Sequence, residues 1–204
     1  MLLLVLAMLN ERPMHPYEML RLVAERDKHS VVNVKRGSVY HAVERLQSAG
    51  LVEEQETSRE GRRPERTVYR LTEAGQDEVR TWMFDMLRRP KDEFPEFTTV
   101  VAFLPVLTAQ EVASALRHRL IVLDRTIGGL EATGRTIGDR IPRVFVIEEE
   151  YQLAMVRAER AWVAGVLADL ESGRFSWDYE ELRRWADAAS GPGGPLEGVG
   201  DPPD

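Results

Sequence analysis

Cysteine is absent from the 204 residues. Disulfide frameworks and cysteine-based metal sites are thereby excluded, and a reducing compartment is compatible with the chain. Histidine is nearly as scarce: His15, His29, His41 and His118 are scattered, none at helical ligand spacing with another, so no metal site is expected. Long apolar runs are also missing. The opening "MLLLVLAMLN" is far shorter than the roughly 20 residues a membrane span requires. It lacks the positive flank of a signal peptide, and "ERPMHP" stands where a small-residue cleavage site would be. It reads as a buried first helix, with no membrane partner and the cytoplasm as the default location. "GRTIGDR" has glycines but neither the context nor the lysine of a phosphate loop. No Ser/His/Asp ordering stands out, and "EEE" at 148–150 suits the first half of a solvated helix. The expectation is a protein that is not an enzyme and carries no cofactor.

Positive charge is in short supply overall, with 27 Lys/Arg against 34 Asp/Glu and a formal net charge of −7. Averaged over the chain, this disfavours nucleic acid as a partner. The average hides an asymmetry: residues 1–89 hold 15 cations and 14 anions, and residues 90–204 hold 12 and 20. The two halves are suited to separate tasks.

What is present has a definite order. Residues 2–10 read as a short apolar helix that Pro13 and Pro16 end, and Pro16 then opens a second helix. A third helix is expected over 38–49, stopped by Gly50. Stretches 51–56 and 67–71 read as strands around "SREGRRPE", a hairpin loop, and Thr72 is a candidate N-cap for a fourth helix. Helix, helix, helix, hairpin, helix is the order of a winged helix-turn-helix domain, assigned to 1–89. After "PKDEFPEF" the pattern is all helical, and 90–189 reads as a helical dimerisation domain. Thr108 and Glu111 form a capping box, followed by an apolar stripe of Val112, Leu116, Leu120, Leu123, Ile127 and Leu130. A second long helix over about 144–172 carries Met155 and Trp162 on its apolar side, and Asp178 and Glu181 cap a short last helix. The stripe, with Met155 and Trp162, is assigned to the dimer; intramolecular packing is the competing reading. The Gly/Pro-rich tail, 190–204, is expected to be disordered.

The third helix supplies the functional lead. Val39, Val43 and Leu46 fall on one side. His41, Glu44, Arg45 and Ser48 fall on the other, flanked by Ser38 and Tyr40. An outward face this dense in hydrogen-bonding groups suits the major groove of B-DNA, with Arg45 reading guanine and Glu44 accepting from a cytosine amine. Lys35, Arg36 and the free N–H groups of the helix start suit a phosphate. Arg59, Arg62, Arg63 and Arg66 surround the hairpin tip. Phosphate contact needs local cations and not a basic whole protein, so the overall charge is no obstacle. Trp82 and Trp162 are candidates to line an effector pocket, with ordinary core or dimer contact as the alternative.

"PMHPYEMLRLV", "GSVYHAVERLQSAGLVEE" and "TVYRLTEAGQDEV" resemble three separated signatures of the PadR family of bacterial transcriptional regulators. Pro13, His15, Tyr17 and Glu18 match the first, Gly37, Tyr40, Leu46, Gly50, Leu51 and Val52 the second, and Tyr69, Leu71, Thr72 and Gly75 the third. Pro16 departs from the usual glycine, and His41 stands where the family usually has proline. The resemblance implies a dimeric, usually repressing regulator that binds a double-stranded DNA operator, many members of the family responding to a small molecule. It further implies that Tyr40 and the polar residues of the third helix touch DNA, and that the wing arginines touch phosphate. The competing class is a winged-helix protein-interaction module that does not bind DNA.

Overall fold

Pro16 begins a helix where its missing N–H costs nothing, and the His15 ring caps that helix by accepting from the Tyr17 N–H at 3.0 Å. The computed structural model describes residues 1–26, 28, 32, 34–58, 66–137 and 141–189, with the side chains of 56–58 and 66 left aside. The chain divides into two units, Met1–Glu93 and Phe94–Asp204. The 190–204 tail lies outside the described residues.

The first unit holds helices α1 (Leu2–Glu11), α2 (Pro16–Glu25) and α3 (Arg36–Ser48), strands β1 (Val52–Ser58) and β2 (Arg66–Leu71), and helix α4 (Glu73–Arg88). This is the winged helix-turn-helix order. α1 packs against α3, α4 and β2, and α2 packs against α3. Their apolar sides form one core: Val5, Leu6 and Leu9 of α1, Met19 and Val23 of α2, Val39, Val43 and Leu46 of α3, and Val79 of α4. Leu6 and Val5 are fully covered, so the apolar opening is core and not a membrane anchor. Among the described residues no helix is long and apolar enough to cross a membrane.

The end of α3 shows how tightly local chemistry fixes this unit. Gly50 adopts φ 71°, a left-handed conformation that favours glycine. Its N–H donates to the Gln47 carbonyl at 2.9 Å, and the Leu51 N–H to the Leu46 carbonyl at 2.9 Å, which closes the helix C-terminus. Thr72 then joins three elements: its hydroxyl donates to the Gly50 carbonyl at 2.7 Å and accepts from the Gly75 N–H at 3.0 Å, capping α4. β1 and β2 pair antiparallel from Val52↔Leu71 to Ser58↔Arg66, and Gln55 is the extra residue of a bulge between Glu54 and Glu56. The stretch from Pro13 to Pro16 does more than end α1. Met14 pairs with Tyr69 through two backbone bonds of 3.0 and 3.2 Å, adding one rung to β2.

The second unit holds α5 (Glu96–Ala102), α6 (Ala109–Ile137), α7 (Ile147–Glu171) and α8 (Tyr179–Ala189), with single turns of tighter helix at Leu104–Val106 and Arg143–Phe145. The expected capping box is present: Glu111 N–H to Thr108 Oγ1 at 3.3 Å, and Thr108 N–H to Glu111 Oε2 at 2.8 Å. Asp178 caps α8 through the Glu181 N–H at 3.0 Å. α5 was not anticipated, because seven residues are too few to show a period. α6 runs on through Gly128, Gly129 and Gly134 to Ile137, because packing against α7 outweighs glycine's propensity cost.

That packing corrects the dimer assignment. Val112, Leu116 and Leu123 are buried with Val163 and Leu167 of α7 in the same chain, and Leu120 packs against them. These four are intrachain core and not a seam open to a second subunit. The α6–α7 hairpin is also laced by ion pairs, Arg117–Glu171 at 2.8 Å, Asp124–Arg160 at 2.7 Å and Glu131–Arg157 at 2.6 Å. Ile127 and Leu130 are half-buried, whereas Met155 and Trp162 are 53% and 45% exposed.

Candidate nucleic-acid interface

α3 divides into two sides as the spacing predicted. Val39, Ala42, Val43 and Leu46 face the core, and Ala42 is one position the spacing argument left out. His41, Glu44, Arg45, Gln47 and Ser48 are exposed, and Ser38 and Tyr40 are half-buried at the flank. The Tyr40 ring meets His15 edge-on at 6.3 Å. This contact sets the phenol against the N-terminus of α2.

Lys35 stands at the N-cap position of α3, and no side chain caps that helix. Of the first-turn N–H groups, that of Ser38 donates to the Lys35 carbonyl at 3.0 Å, and the remainder of the helix start suits solvent or an anion. Lys35, Arg36 and Arg45 are exposed, with no ion pair among the described residues. Four cations elsewhere in this unit are paired: Arg12 with Glu18, Arg26 with Glu11, Arg21 with Glu18 and Glu25, and Arg70 with Glu53. The Arg26–Glu11 pair is bidentate at 2.6 Å, and its charge-assisted bonds hold the Glu11 carboxyl below the ordinary range. Lys35, Arg36 and Arg45 are thus available to phosphate, and the exposed Arg80, Arg88 and Arg89 of the α4 segment are also outside any ion pair among the described residues.

Other polar groups on α3 are committed. Ser48 Oγ donates to the Glu44 carbonyl at 2.9 Å, and Gln47 Nε2 donates to Glu54 Oε1 of β1 at 3.1 Å. The second bond ties the end of α3 to the base of the hairpin; it joins residues seven apart and leaves no sequence signature. Burial, with the carboxylates of Glu54 and Glu44 nearby, raises the Tyr69 phenol above its ordinary range and keeps it a neutral donor. Of the wing cations, Arg59, Arg62 and Arg63 lie outside the described residues, and Arg66 is described only as the start of β2.

Trp82 and Trp162 fall in different units. Trp82 packs on the core of the first. Trp162 lines a groove of about 660 Å³ in the second, with Phe97, Val100, Leu104, Val122 and Val166. Phe97 meets Trp162 edge-on at 6.0 Å and carries the Arg119 guanidinium 3.5 Å above its ring. Arg119 is bound in turn to Glu159 at 2.7 Å. Among the described residues, no group of three or more His, Asp or Glu side chains is placed to hold a metal.

Residues 5–81 match the sequence model of the "Transcriptional regulator PadR-like family". No curated protein matches the chain. Among solved structures, Bacillus subtilis PadR in complex with operator DNA is similar, with a TM-score of 0.68 at 17% identity over 83% of this chain and 96% of that one. The same regulator in complex with p-coumaric acid has a TM-score of 0.68 at 16% identity, covering 82% and 96%. The Vibrio cholerae virulence activator AphA has a TM-score of 0.63 at 18% identity, covering 84% and 99%. These matches extend across both units, so the fold likeness includes the helical half.

Proposed function

We propose that this chain, which carries the PadR-like regulator module over residues 5–81, is a sequence-specific DNA-binding transcriptional regulator acting as a homodimer. The observation that carries this reading is the outward face of α3, with exposed Lys35 and Arg36 at a helix start that no side chain caps and exposed Arg45 in its last turn. α3 enters the major groove, its N-terminus binds a phosphate, and Arg59, Arg62, Arg63 and Arg66 of the wing follow the backbone. Tyr40, Ser38, His41, Glu44 and Arg45 are the residues of the reading face. The regulator works in the cytoplasm, and it is not an enzyme. The likeness to a structure described as bound to operator DNA supports the reading.

A single winged helix reads few base pairs, and a two-fold protein matches a two-fold site. With the α6 stripe occupied inside the subunit, the second copy is met through apolar residues left outside, Ile121, Val122, Met155 and Trp162. Repression is the outcome that the resemblance to the PadR family implies, and a reporter assay distinguishes it from activation. The groove beside Trp162 supports release by a small molecule: its volume falls within the roughly 300–1,000 Å³ of ligand sites, and its lining is mostly apolar. Such a molecule must prefer the dimer that cannot bind DNA.

The test is a gel-shift with the DNA flanking the protein's own gene, at about 50 mM and about 200 mM salt. Binding that is strong at the lower salt and weaker at the higher supports the proposal. Absence of any shift at both removes it and leaves the protein-interaction module as the reading of the winged helix.

A further inference from the structure

The polar residues on the outward side of α3 are not equally available. Ser48 has given its hydroxyl proton to the Glu44 carbonyl, and Gln47 is held by Glu54. What remains past the first turn is Arg45 and a coupled pair. His41 Nδ1 lies 3.2 Å from Glu44 Oε2, three residues on, with the two side chains 79% and 71% exposed. An ionised carboxylate only accepts hydrogen bonds, so Nδ1 must carry the shared proton. Glu44 Oε1 is left as an acceptor on the outward face.

We infer that His41 and Glu44 form one recognition unit for an exocyclic amine in the major groove, Glu44 making the contact and His41 holding it in place. The inference rests on the DNA-binding reading above. A carboxylate acceptor requires a donor, and in the major groove the donors are the N4 amine of cytosine and the N6 amine of adenine. Guanine and thymine present O6, N7 and O4, all acceptors, and are repelled. Glu44 and Glu54 of β1 both stand near the Tyr69 phenol of β2, so a second carboxylate lies on this side of the unit. Arg45, the next residue on the helix, has the opposite preference and suits guanine O6 and N7. The face therefore reads an amine and a guanine side by side. His41 is a positioning residue: without the Nδ1 contact, an exposed glutamate samples several rotamers and loses discrimination.

The experiment selects binding sites for the full-length protein from duplexes carrying a randomised central region. Affinities are then measured for the selected site with each base pair exchanged in turn. Wild type should require cytosine or adenine at one position of each half-site, by roughly tenfold over guanine or thymine. Glu44→Gln should erase that preference at that position alone. His41→Ala should weaken the same preference, and His41→Asn, which keeps a donor near the place of Nδ1, should restore it. Helix content and melting temperature should not change, because both side chains are exposed. Binding in which Glu44→Gln and His41→Ala keep the wild-type preference at every position, or a wild type that selects guanine or thymine there, overturns the inference while DNA binding stands. A wild type that retains no duplex from the pool overturns the DNA-binding reading itself, and this inference with it.

Discussion

Gly75 and Gly128 are both helical glycines, and replacing each with alanine should have opposite effects. A Cβ on Gly75 would sit 2.0 Å from the Leu51 carbonyl oxygen, whereas real Cβ contacts essentially never fall under 3.0 Å. The obstacle is backbone and cannot rotate away. The same oxygen accepts from the Thr72 N–H at 3.1 Å, and the Gly75 N–H caps onto Thr72 Oγ1 at 3.0 Å. Moving α4 away from Leu51 strains or breaks both bonds. Overpacking costs about 1–3 kcal/mol, and each bond lost adds about 1 kcal/mol. Gly75→Ala should therefore destabilise the first unit by about 3–5 kcal/mol, a large part of an ordinary domain's 5–15 kcal/mol. A Cβ on Gly128 meets nothing within 4 Å, so Gly128→Ala should stabilise α6 by about 0.5–1 kcal/mol through helix propensity. Hydrogen exchange read peptide by peptide is the suitable assay, because it reports the two units separately. Protection should fall in α3, β2 and α4 for the first variant and rise in α6 for the second. A Gly75→Ala protein whose first unit stays within about 0.5 kcal/mol of wild type would refute the reasoning, since that is the range of an inconsequential surface change.

Three further outcomes follow from the same structure. Replacing Arg62 and Arg63 together with alanine should weaken binding to all DNA sequences alike and reduce the slope of log affinity against log salt by roughly 2, about 0.9 per phosphate contact, as titrations at several salt concentrations would show. Arg45→Ala should instead relax base preference at one position with little change in that slope, measured on a panel of single-base variants. The Glu11 carboxyl is held low chiefly by its bond from Arg26, so its contribution to stability is present above the unfolded value of about 4.3 and is lost as pH falls through the folded value. Urea midpoints of wild type and Glu11→Gln should therefore differ at neutral pH and converge in acid.

Much of the fold was legible because its signals are local. Gly50, Thr72, the Thr108–Glu111 box and Asp178 each fix an element end through chemistry spanning five residues or fewer. The division of α3 into buried and outward sides was legible for the same reason, through helical period alone. What escaped depends on contacts between different elements. The Met14–Tyr69 rung joins a turn to a strand, and the Gln47–Glu54 bond joins a helix to a wing. The α6 stripe was visible as a stripe, but its partner was not: the same leucines serve a seam between subunits or a hairpin within one, and only the position of α7 decides. The pairing of cations showed the same limit. Arg12 and Arg26 look as available as Arg45 in a list of charges, and only their fold partners, Glu18 and Glu11, set them apart.

The claim on which the rest depends is that α3 lies in the major groove of DNA. Dimethyl sulfate footprinting of the bound flanking fragment measures this directly, because it modifies guanine N7 in the major groove and adenine N3 in the minor groove. Protection of guanine N7 in two patches about one helical turn, or a multiple of it, apart, lost at one guanine per patch in Arg45→Ala, is the predicted result. Protection confined to adenine N3, or a guanine pattern that Arg45→Ala leaves intact, would contradict it.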